Sequence, residues 1–257
     1  MMLGPDIKRM IRDYLGDVQG DLRLAGDALI TGRMSATELS LDGREVELGW
    51  IKDSIGWLYS GSTEILRYGE DVSELFPVGT KIRWTQGGGW KYAYVIGAAY
   101  ASGVNTLTVT GGTDYTVANA DIEDNYFSYA ANPTGFPEVF NFTPVYDGFI
   151  SDPTHIVVFR IDGHTLHYWA WATLNGTSDD DIFKMSAPAT AASISGMYYV
   201  GSMGRYTNAG AASVRGEGRV LIRAGTSTIL LQTSASTGRW TASGNKSAAF
   251  YISFPIG

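Results

Sequence analysis

The chain has 257 residues, no cysteine and a net charge of −7, with 18% charged and 44% hydrophobic side chains. No cysteine means no disulfide framework, thiolate metal site or cysteine nucleophile, and the acidic balance argues against nucleic acid as a main partner. The 32 glycines beside 15 tyrosines favour strands and turns over helices, and the length allows one to three domains. The first residues carry no apolar stretch of the leader type, and no run approaches the 18 apolar residues of a membrane span, so neither a secretory leader nor membrane insertion is expected.

Residues 5–15 read as a short helix. Ile7, Met10, Ile11, Tyr14 and Leu15 fall on one face, Pro5 suits the first turn and Gly16 the stop. Eleven residues are too few for a stable isolated helix, so that face needs a cover: either the same helix of two further copies or the rest of its own domain. A weak repeat follows, in which Leu22-Arg23-Leu24-Ala25-Gly26 returns as Leu39-Ser40-Leu41-Asp42-Gly43. Two such copies cannot bury their own apolar sides, whereas three chains around one axis can, as in a fibre stem.

Residues 50–148 read as a small β barrel or sandwich. Ile82 and Trp84 alternate with Lys81 and Arg83, Tyr92, Tyr94 and Ile96 with Ala93 and Val95, and glycines bound each run. Turn formers at 132–137 end the module, and 138–150 reads as a linker or packing arm. Residues 151–257 read as a jelly-roll-like sandwich. In it Asp162-Gly163 is the expected hairpin turn, and Phe250, Ile252 and Phe254 mark a central, buried last strand. Charge is uneven: residues 149–257 carry eight basic and six acidic side chains, net +2, while 50–148 carry five and eleven, net −6.

Catalytic and metal signatures are weak. His164 and His167 stand three apart entering a strand, which sends them to opposite faces. Asp179-Asp180-Asp181 lacks the glycine and distal glutamate of a calcium loop and reads as a solvated loop tip. The glycines at 87–89 have strands on both sides rather than the helix a phosphate loop needs. No carboxylate pair carries a hydrolase motif. No cofactor and no metal site are therefore expected.

The aromatic stripe of the strand after Gly163 is the most informative feature. Leu166, Tyr168, Ala170, Ala172 and Leu174 share a natural core face, which leaves His167, Trp169 and Trp171 on the other. That face can pack between copies of a trimer, lie in a core covered on both sides, or stand exposed as a platform for sugar rings. Tyr198, Tyr199, Tyr206 and Trp240 add polar-tipped aromatics of the kind favoured at binding surfaces.

The segment Val72-Ser73-Glu74-Leu75-Phe76-Pro77-Val78-Gly79-Thr80-Lys81-Ile82-Arg83-Trp84, with Lys91 to Ile96, Leu107 to Ala120 and Asn132 to Pro137, resembles a stretch common in tail fibres and minor structural proteins of bacteriophages and prophages. More loosely, Asn175-Gly176-Thr177-Ser178, Ser186-Ala187-Pro188 and Gly238 to Lys246 are similar to C-terminal heads of that protein class, which often trimerise. The resemblance implies a non-catalytic virion protein made in the host cytoplasm. In this reading 1–49 attaches to other virion proteins and starts a homotrimer, 50–148 is a structural module, and the 151–257 head meets host cell-surface polysaccharide. The rivals are a capsid decoration or head fibre without a receptor role and, third, a polysaccharide depolymerase.

Overall fold

The computed structural model describes residues 40–41, 44–173, 176–216, 218–234 and 238–257, with side chains from residue 48 onward. The expected helix with Ile7, Met10, Ile11, Tyr14 and Leu15, and the first copy of the stem repeat, lie outside these residues. Among the described residues there is no helix, and every strand pairing is antiparallel. The segment Leu39–Gly257 forms one compact unit.

The first sheet has nine strands: β1 (Ser40–Leu41), β2 (Arg44–Glu47), β3 (Trp50–Lys52), β4 (Trp57–Gly61), β5 (Glu64–Tyr68), β6 (Lys81–Gln86), β7 (Gly89–Ala101), β8 (Val104–Thr110) and β9 (Glu123–Ser128). Their order is β1-β2-β3-β9-β6-β7-β8-β5-β4. Residues 40–41 and 44–47, expected in a stem, instead form the edge of this sheet through the β2–β3 hairpin. A boundary at 49/50 therefore cuts a hairpin. The alternation read in β6 holds, with Ile82 and Trp84 fully buried beside Trp57, Phe76 and Phe127. Asp53 and Arg67 form an enclosed ion pair at 2.7 Å, and the Trp57 indole N–H donates to the same carboxylate at 2.9 Å. Gly87 and Gly88 turn the β6–β7 hairpin, and Gly89 opens β7.

The second sheet has ten strands on its main path or beside it: β10 (Phe140–Asn141), β11 (Tyr146–Asp147), β13 (His155–Asp162), β14 (Thr165–Ala172), β16 (Lys184–Ser186), β17 (Tyr198–Thr207), β18 (Val214–Arg215), β19 (Arg219–Arg223), β20 (Thr228–Gln232) and β21 (Ser247–Pro255). The path runs β10-β13-β14-β21-β17-β19-β20-β16-β11, with β18 on β17, and β12 (Phe149–Ser151) pairs separately with β15 (Thr177–Ser178). Inward side chains of nearly all these strands meet in one cluster, and the Tyr168 hydroxyl on β14 donates to the Ser186 carbonyl on β16. Strands far apart in the order thus face each other across the core. The last strand is central, between β14 and β17, with Phe250, Ile252 and Phe254 buried as expected.

The arm at 138–150 joins the second sheet, so by strand pairing that sheet begins before 151. Phe140 is fully buried and stacks on Phe159 at 5.7 Å. It also meets Tyr94, and β7 serves two cores: Ala93 and Val95 face the first, Tyr94 the second. Burying one such ring contributes about 2–3 kcal/mol, so a row of them makes the two sheets one body. At one point the backbones themselves touch. A Cβ added at Gly79 would stand 1.8 Å from the Gly163 carbonyl oxygen, so no side chain fits there.

Candidate functional site

The hairpin that builds the site runs from β13 into β14. Asp162 pairs with Thr165, so the two-residue loop is Gly163-His164, one residue later than the expected Asp162-Gly163 turn. Gly163 takes φ +57° and His164 does not take positive φ, as a Gly-first hairpin loop requires. The register then sets Val158 beside Trp169 and Ile156 beside Trp171 on one side, and Tyr251 beside Trp169 on the other.

The core phase of β14 is the expected one: Leu166, Tyr168, Ala170 and Ala172 are buried, and His167, Trp169 and Trp171 face outward. Trp171 is 53% exposed, so the described residues do not cover it with a core on the second side of the sheet. Trp169 is half-buried against Tyr251, with ring centres 5.3 Å apart, and His167 lies nearly parallel to both rings. The His167 Nδ1 and the Tyr251 hydroxyl are 2.8 Å apart. The tautomer that keeps the proton on Nε2, toward the Asp162 carboxylate at 3.5 Å, lets Nδ1 accept from Tyr251. Asp162 also pairs with Arg160 at 3.0 Å, and the Arg160 guanidinium stands 5.9 Å from the Trp169 ring centre.

The other candidates separate. Tyr198 is exposed on the outer face of β17. Tyr199 points inward, stacks on Phe254 and donates to the Ala192 carbonyl at 3.2 Å. Tyr206 and Trp240 are core residues, 7% and 3% exposed, so neither can present its ring to a receptor. Their polar tips are used internally: the Tyr206 hydroxyl donates to the Thr233 carbonyl, and the Trp240 indole to the Leu231 carbonyl. Tyr251, Arg160 and Asp162 were missed as members of the surface. Tyr251 carried a usable signal, since it stands out of phase between Phe250 and Ile252 on a strand already read as buried on that side.

Beyond Arg160 and Asp162 the surface falls into a cleft between the two sheets. One part, of about 630 Å³, is lined by Lys81, Asn132, Arg160, Asp162 and His164; an adjoining part of about 540 Å³ shares four of these and adds Glu138. The Lys81 ammonium stands 5.8 Å from the Tyr94 ring centre and 5.7 Å from that of Phe136, and burial lowers its pKa, opposed by the nearby Asp162 charge.

The acidic run is not a simple solvated tip. Lys246 is fully buried and donates to the carbonyls of Asp180 and Ile182 at 2.5 and 2.7 Å, and Arg239 pairs with Asp181 at 2.6 Å. The loop's negative charge is thus answered by the chain's own cations. Among the described residues no three acidic, histidine or cysteine side chains gather into a group able to hold a metal ion.

Searches against family models, curated proteins and solved structures find no match to this chain.

Proposed function

We propose that this chain is a bacteriophage virion fibre or receptor-binding protein that works by binding cell-surface glycan, not by catalysis. The observation that supports it best is the outward platform of His167, Trp169 and Tyr251, bounded by Arg160 and Asp162. Flat aromatic faces stack on the apolar faces of sugar rings, and a charged pair at their edge supplies donors and acceptors for the hydroxyls. In this proposal the second sheet is the jelly-roll-like head, the first is a structural module, and the segment before residue 40 attaches to the particle and carries the trimerising helix. Three weak sites on one head would act together through avidity.

The margin of the platform favours a second role. Ile156 and Trp171 are cross-strand neighbours on β13 and β14, exposed side by side on the same outer face, and adjoining apolar exposure of this kind marks contact with another protein surface. We place the homotrimer contact there.

The test is a panel of bacterial envelope polysaccharides offered to the full chain, with the double variant Trp169→Ala, Tyr251→Ala as control. Binding to at least one polymer, abolished in the double variant, is expected. Binding that survives in the double variant, or none across a panel containing a verified host's polymers, overturns the platform and favours a virion component without a receptor role. Sugar release on incubation would favour the depolymerase instead.

A further inference from the structure

We propose that the cleft between the two sheets is an anion subsite, where the Lys81 ammonium takes a carboxylate or phosphate substituent of a glycan whose ring lies on the Trp169–Tyr251 platform. This rests on the glycan reading above and adds the ligand's charge to it.

Lys81 carries the inference. The residue is only 9% exposed, yet it lines both parts of the cleft. Its three N–H donors have one protein hydrogen bond among the described residues, a long one of 3.4 Å to the Ala130 carbonyl. The rest of its surroundings are the Tyr94 and Phe136 rings, which attract a cation but cannot replace the acceptors it lost on leaving water. The carboxylates nearby do not fill that need. Asp162 is engaged by Arg160 and His167, and Glu138 is exposed in the adjoining part of the cleft. Over both parts two cations, Lys81 and Arg160, face two carboxylates, Asp162 and Glu138, so the cleft holds no excess charge and what is unmet is hydrogen bonding at the Lys81 ammonium, with the Asn132 amide and the His164 ring as further polar groups beside it. An anion there makes charge-assisted hydrogen bonds in a partly dry setting, where they are strongest.

The same residues join the cleft to the platform. Arg160 lines both parts of the cleft and also lies beside Trp169, so the platform and the cleft adjoin at this residue, and in this proposal a saccharide on the aromatic rings reaches past it to Lys81. A glycan with acidic sugars or phosphodiester links meets both requirements, and a neutral one meets only the first.

The experiment is side-chain NMR of the full chain, following the Lys81 Cε resonance and the Trp169 indole. The titrants are methyl glucuronide, methyl glucoside and inorganic phosphate. Glucuronide is expected to move both signals and raise the Lys81 pKa. Glucoside should move only Trp169 and bind about tenfold more weakly, the worth of one charge-assisted hydrogen bond, while phosphate should move only Lys81. Lys81→Met should erase the tenfold preference, and Lys81→Arg should keep most of it. A Lys81 signal that moves with phosphate and not glucuronide supports the subsite and makes phosphate the ligand group. A Lys81 signal silent to both anions, or a preference unchanged in Lys81→Met, overturns the subsite while a moving Trp169 leaves the platform standing. A silent Trp169 with a responsive Lys81 keeps the anion site and removes the platform instead.

Discussion

Lys246 and Lys81 are both lysines drawn out of water, and their surroundings differ in kind. Lys246 sits at the floor of the 179–182 loop with two carbonyls at 2.5 and 2.7 Å and the Phe149 ring 5.3 Å away. Lys81 has a wall of rings, one distant carbonyl and an open cleft in front of it. Burial lowers the pKa of each. The difference teaches that desolvation alone does not mark a functional cation: one enclosed charge is matched by its own chain and closes a loop, the other is left with donors to spare beside a surface others can reach.

The largest effect that would break this contrast is expected at Lys246. Lys246→Met strands two part-buried carbonyls and leaves the acidic run without its inner cation, and should cost about 2–3 kcal/mol in urea unfolding. A cost no greater than that of Lys81→Met would mean the loop rearranges at will and the two lysines are alike.

Next in size is a pH effect on the wall behind Lys81. Burial pushes the Tyr94 hydroxyl up to about 12, opposed by a hydrogen bond with the Ile161 backbone. A folded pKa above the unfolded value of about 10 means a contribution that is complete below pH 10 and is lost as pH rises through about 12. Tyr94→Phe should therefore remove about 2–3 kcal/mol of the alkaline fall in stability over that interval. Burial raises Tyr146 and Tyr168 in the same direction, so part of the fall should persist. Unfolding curves from pH 9 to 12 for the two proteins, identical after normalisation, would contradict the assignment.

Lys81→Met should change stability by less than about 1 kcal/mol, because it gives up one long hydrogen bond and removes a desolvated charge. Smallest of all for the single chain is Trp171→Ala, whose ring is exposed. Its main expected effect is on assembly, and mass photometry should show trimers giving way to the 27.8 kDa monomer. A wild-type protein that is monomeric at micromolar concentration removes the homotrimer altogether.

The parts of this architecture legible in the sequence are those written in local alternation. The inward phase of β14, the buried Ile82 and Trp84 and the central last strand all follow from a period of two, which each strand carries by itself. The hairpin after Asp162 was legible but one residue displaced, because Gly163 serves the first loop position as readily as the second. What could not be read depends on partners far along the chain. Trp240 looks like a surface aromatic between Arg239 and Thr241, and its burial is decided by Phe183 and the Leu231 carbonyl. Lys246 sits between Asn245 and Ser247 as any solvated lysine would, until a loop more than 60 residues earlier closes over it. The cleft around Lys81 belongs to two sheets, and no single segment announces it.

The backbone contact at Gly79 bears on how such a surface can diversify. With the Gly163 carbonyl against it and no room for a methyl group, the separation of the two sheets at that end is fixed by main chain alone. Exposed side chains of the cleft rim such as Asn132 and Glu138 can then be exchanged without altering that spacing, so recognition chemistry and the gauge of the slot are independent variables. A methyl group at 79 would do the opposite, keeping every recognition residue while forcing the walls to a new spacing.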